Sequence, residues 1–170
     1  IADTQKLLVD LKEKFPKSVD VAARLAFSLM QDQPQRARKE VDQILESQPN
    51  NPVGHVLLGE LQFVSGDYVS AEVTLGKDPA VNSPYPQVHL LLGNIALKKG
   101  SIDQALIHFQ KSLAVNGSYL PARLASAEVF LSRGRTADAG EETRKALEIR
   151  PDFVPARLLN AALENADGNY

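Results

Sequence analysis

Residues 86–117 read PQVHLLLGNIALKKGSIDQALIHFQKSLAVNG. From Gln87 to Lys99 the segment is apolar almost all round, through Val88, Leu90, Leu91, Leu92, Ile95, Ala96 and Leu97. A helix of that kind has to be covered on most sides. Gly100 breaks it. From Ile102 to Val115, Ile102, Ala105, Leu106, Phe109 and Leu113 fall on one side, and Asp103, Gln104, Gln110 and Lys111 on the other. That is a one-sided amphipathic helix. An enclosed inner helix followed by an amphipathic outer one makes a hairpin that cannot bury itself alone. Stacked copies bury each other.

Working outward, the same pattern recurs. Ala37, Ala71, Ala105 and Ala139 are each 34 residues from the next, as are Gly66, Gly100, Gly134 and Gly168. Gly59 and Gly93, Leu113 and Leu147, and His55 and His89 share the period. A fixed period of this length signals stacked helical repeats. A small residue early in the outer helix lets the two axes approach closely. Glycine at the turn serves the tight reversal, where positive φ is cheap for it. Gly59 and Gly93 lie inside inner helices, where glycine costs ~1 kcal/mol against alanine; close helix packing is the reason expected to offset that cost.

The segments His89-x-x-Leu92-Gly93-x-x-Ala96 before Ala105-x-x-x-Phe109, and His55-x-x-Leu58-Gly59 before Ala71-x-x-x-Leu75, resemble the tetratricopeptide repeat family. Its pattern is W-x-x-L-G-x-x-Y, then A-x-x-x-F, then a proline. Pro49 and Pro151 close two further copies that contain Ala37 and Ala139. The resemblance implies an all-α right-handed superhelix, or solenoid, of about four and a half to five hairpin repeats, forming one domain over residues 1–170. Residues 1–17 would be the outer helix of a preceding repeat. Full repeats would span 18–51, 52–85, 86–119 and 120–153, and 154–170 would be the inner helix of a following repeat. Inner helices are placed near 19–31, 53–65, 86–99, 120–133 and 154–167. Outer helices are placed near 2–15, 34–47, 68–76, 102–115 and 136–149. A chain running from Ile1 to Tyr170 reads as an excised piece of a longer protein.

Three places depart from the pattern. His55 and His89 occupy the large aromatic position of the inner helix; they read as space-filling imidazoles, with a metal or proton-transfer pair as the alternative. Leu25 and Asp32 replace the helix and turn glycines of the first full repeat. Pro79 falls at a position that is helical in the other copies, where it has no amide to donate and would clash with the previous turn. The outer helix is therefore expected to end near Gly76, and residues 76–86 to be an irregular, proline-rich loop and the most mobile internal segment.

Composition narrows the function. The chain is 44% hydrophobic and 24% charged, with a formal net charge of -2 and no cysteine. There is no basic excess to hold a phosphate backbone, which argues against nucleic acid. There is no thiolate site or thiol nucleophile, and no apolar run long enough for a membrane span. No phosphate-loop, dinucleotide, zinc-protease or calcium-loop pattern occurs. His108 is read on the polar side of its outer helix, so the three histidines form no triad. Asn116-Gly117-Ser118 matches a glycosylation sequon but sits in a repeat turn. No catalytic, cofactor-binding or metal residue is assigned.

The resemblance implies instead a concave groove lined by the inner helices. Its partner-binding residues are Val56, Glu60 and Phe63, then Leu90, Asn94 and Leu97, then Leu124, Glu128 and Leu131. Ala22, Ala26 and Leu29 are the equivalents in the first full repeat, and Leu158, Ala162 and Asn165 in the last inner helix. Each trio follows i, i+4, i+7 spacing and shares one helix face. The lysines, arginines and asparagines of a carboxylate clamp are missing from Val19, Val53, Gln87, Pro121 and Pro155 and from Ala23, Leu57, Leu91, Ala125 and Leu159. The expected function is a non-catalytic protein–protein interaction scaffold holding a partner peptide or helix. Its expected setting is a bacterial cell-envelope secretion or polysaccharide-export assembly. The alternative is the docking or regulatory arm of a larger enzyme, such as a glycosyltransferase. Leu158, Leu159 and Ala162 are expected to be exposed where an outer helix would lie, making self-association through that end a further expectation.

Overall fold

A computed structural model describes residues 2–166, and the side chains of residues 3–165. The described residues are helical, with turns between the helices and no strand. They form two compact units, Ile1–Ser83 and Pro84–Tyr170.

The first unit contains α1 (Ala2–Lys14), α2 (Val19–Leu29), α3 (Pro34–Ser47), α4 (Pro52–Val64) and α5 (Tyr68–Leu75). The second contains α6 (Pro86–Lys98), α7 (Ile102–Val115), α8 (Leu120–Ser132), α9 (Thr136–Ile149) and α10 (Val154–Ala166). The hairpins are α2–α3 and α4–α5 in the first unit, and α6–α7 and α8–α9 in the second; α10 packs on α9 and α8.

Local chemistry sets the ends. The Ser18, Asn51 and Asp67 side chains accept from the backbone N–H of Val21, Gly54 and Ser70 at 3.3, 3.2 and 3.1 Å. Each satisfies a donor that the first turn leaves orphaned. Pro34, Pro52 and Pro86 open α3, α4 and α6, where a missing amide does no harm. Gly66, Gly100 and Gly134 turn the hairpins with φ of 84°, 75° and 70°, conformations that disfavour a Cβ. Gly168 lies outside the described residues. Asp32 has no positive φ; its turn closes instead through the Gln33 N–H, which donates to the Leu29 carbonyl at 2.7 Å.

Each periodic alanine is fully buried, at 0% exposure. The inner-helix glycines are required by close contact. A Cβ on Gly93 would stand 2.4 Å from the Phe109 ring, and one on Gly59 2.4 Å from Leu75 Cγ. The core of α1–α4 joins Leu8, Leu25, Met30, Val41, Ile44 and Leu61. In the second unit, Ala96, Ala105, Phe109 and Val129 form the cluster that joins α6, α7 and α8.

The helix before the proline-rich segment ends at Leu75, with Gly76 as its cap. It has 8 residues where α3, α7 and α9 have 14. The segment that follows is irregular but anchored. Ala80 is buried, and the Val81 and Ser83 amides donate to the Lys77 and Ala80 carbonyls. The Asp78–Pro79 peptide is cis.

Candidate functional site

The predicted groove residues do not share one environment. In the first unit Ala22, Ala26 and Leu29 belong to the core of α1–α4, and Val56 is 2% exposed. These four positions correct the expectation of an accessible lining. The face of α2 that the register assigns to a groove is packed against its neighbours. Glu60 and Phe63 remain half-buried on α4. Burial pushes the Glu60 carboxyl above its ordinary value, and no cation pairs with it among the described residues. Phe63 is tied to Tyr68, with ring centroids 5.4 Å apart and a tilt of 55°.

The second unit is more open. Leu90, Asn94 and Leu97 on α6 and Leu124 and Leu131 on α8 are half-buried, and Glu128 is exposed. Leu90 and Leu97 also lean on the α6–α8 core; Leu124 is accessible without being part of that cluster. The face therefore offers aliphatic surface, one amide and one free carboxylate. It holds no nucleophile beside a base. Among the described residues no group of three or more histidines, acids or cysteines could hold a metal.

A partly buried polar brace fixes α8 beneath this face. Arg123 donates from Nη1 to Glu142 at 2.7 Å, and from Nε and Nη2 to the Gly117 carbonyl at 3.1 and 2.7 Å. Lys145 reaches Glu142 from the other side at 3.2 Å. One guanidinium thus ties the α7–α8 turn to α9. The buried Ser112 hydroxyl donates to the Pro86 carbonyl at 2.7 Å and ties α7 to the start of α6.

The histidines differ from the sequence reading. His55 meets the Pro49 carbonyl at 2.8 Å. His108 is half-buried rather than solvated, and its ring stacks on His89 at 5.7 Å. Its place three residues after Ala105 and beside Phe109 puts it at the edge of the buried face of α7. Burial, with Lys111 nearby, holds the His89 pKa below its ordinary value of 6.5. The folded state thus binds fewer protons than the unfolded chain in the window from 6.5 down to the lowered value. Stability is full above that window and is lost as pH falls through it. Thermal melts between about pH 8 and about pH 5 should show this decline, and His89→Gln should flatten it. A melting temperature unchanged by the substitution at the acid end would contradict it.

Sequence reasoning missed an open apolar hollow of about 420 Å³ in the first unit, lined by Leu8, Ala23, Phe27 and Leu57 among others. Phe27 is 62% exposed, whereas its register equivalents Leu61, Ile95, Val129 and Leu163 are buried. The signal was present as a large aromatic at a position that every other copy buries.

With this geometry established, comparison with known proteins gives a consistent result. Profiles described as tetratricopeptide repeat match residues 28–95 and 90–152. No curated protein matches the chain significantly in sequence. Among solved structures, a thermophilic TPR protein of Thermus thermophilus superposes with a TM-score of 0.79 at 23% identity, over 94% of this chain and 88% of that one. The pilF protein of Pseudomonas aeruginosa gives 0.75 at 22% identity, over 95% and 74%. YrrB, described as a TPR protein with an unusual peptide-binding site, gives 0.62 at 17% identity, over 95% and 84%. At these identities the likeness is one of fold.

Proposed function

The chain belongs to the tetratricopeptide repeat family, and from that premise we propose that it is a non-catalytic scaffold whose α6 and α8 face holds an apolar peptide or helix of a partner protein. The observation that carries this reading is the contrast between the units. Register-equivalent positions are closed on α2 but leave Leu90, Leu97, Leu124 and Leu131 part-exposed on α6 and α8. Accessible apolar surface that recurs at helical spacing is the kind of surface partners use. The peptide-binding site described for YrrB supports a peptide as the class of occupant. Glu128, exposed beside the leucines, favours an occupant with a positive charge next to its apolar anchors. A bacterial envelope assembly is the proposed setting, on the irregularity of the repeats.

Leu124→Glu tests the site. Leu124 stands outside the α6–α8 cluster, so its helical spectrum and melting temperature should change little. Capture of the partner identified by pull-down with the unmodified chain should fall at least about tenfold, the equivalent of ~1.4 kcal/mol. Binding that survives with the fold intact would reject this face as the site.

A further inference from the structure

One helix face in the second unit is uncovered and has a pattern that names its partner. On α10, Val154, Leu158, Ala161 and Asn165 fall at spacings of four, three and four, which makes one stripe. Leu158 is 68% exposed and Val154 61%. Ala161 is exposed, although its register equivalents Leu25, Gly59, Gly93 and Ala127 are all buried. Along one edge of the stripe stand Arg157 and Glu164, two turns apart and both exposed. Arg157 has no ion-pair partner among the described residues. Glu164 accepts only from Asn160 on its own helix, at 2.8 Å.

We propose that α10 pairs antiparallel with α10 of a second copy of this chain across a twofold axis. The stripe is self-complementary in that arrangement. Leu158 seats against the partner's small Ala161, and Ala161 receives the partner's Leu158, which lets the axes come within the ~8–10 Å of packed helices. Antiparallel pairing brings the same edge of each helix together, so Arg157 meets Glu164 of the partner subunit and Glu164 meets Arg157 of the partner subunit. The pattern closes on itself as an isologous contact should. A head-to-tail contact with α1 is disfavoured by its residues. At the register of the buried Ala37 and Ile44, α1 carries Asp3 and Asp10, and covering them would strand two carboxylates. One helix pair buries less than a standard interface, so the dissociation constant is expected on the order of 0.1 mM.

The test is sedimentation equilibrium of the chain from about 10 µM to about 1 mM. The unmodified chain is expected to pass from monomer to dimer. Arg157→Glu and Glu164→Arg should each weaken this at least about tenfold. The double variant, which restores opposite charges, should return to within about threefold of the original. An equimolar mixture of the two single variants should form mixed dimers. Leu158→Glu should give a monomer of unchanged helicity. Strict monomer across the range for the unmodified chain overturns the proposal. So does a dimer indifferent to the charge reversals or one that the double variant does not restore. The reversals alter only exposed side chains, so they decide the matter even if the Leu158 variant loses its fold.

Discussion

Phe109→Ala is expected to destabilise the protein by about 3–5 kcal/mol, the range for emptying a fully buried aromatic site. Phe109 is 0% exposed and lies in the cluster that joins α6, α7 and α8. It also fills the space that Gly93 leaves on α6. A Cβ there would meet three of its ring carbons at 2.4, 2.6 and 3.1 Å. The two positions therefore share one volume. Gly93→Leu alone should be at least as damaging as Phe109→Ala, because overpacking forces ring and backbone apart. Together they should cost less than the sum, with a coupling above about 1 kcal/mol, since the leucine enters the vacated space. Urea melts of the three variants measure this. Simple additivity would show that Gly93 and Phe109 are not complementary.

The second expectation is that one substitution changes sign with position. Gly93→Ala should destabilise by about 1–3 kcal/mol despite the better helix propensity of alanine. Phe109 is enclosed, so its ring cannot swing away. Gly140, inside α9, has nothing within 4 Å of a built Cβ and no positive φ. Gly140→Ala should gain up to ~1 kcal/mol from propensity alone. The two variants should thus move the melting temperature in opposite directions. A stabilising Gly93→Ala would show that the inner-helix glycine is not held by packing.

Much of this protein is legible in its sequence because a repeat states each local rule several times. The 34-residue spacing of Ala37, Ala71, Ala105 and Ala139 marked the positions that the fold buries completely. The all-helical hairpins follow from alternating enclosed and amphipathic stretches, and the glycines at 66, 100 and 134 mark turns that need positive φ. Pro79 foretold the short α5, since a ring without an amide cannot continue a helix. These outcomes depend on backbone geometry and neighbours within one hairpin, and both are written locally.

The accessibility of the inner-helix face was decided only by tertiary structure. Ala22, Val56, Leu90, Leu124 and Leu158 occupy one register position. The first two are buried, the next two half-buried and the last exposed. Register fixes which way a side chain points along its own helix; exposure depends on what other helices lay over it. The stacking of His108 on His89 is of the same kind. It arises where α7 crosses α6, between residues 19 positions apart whose types alone carry no instruction to meet.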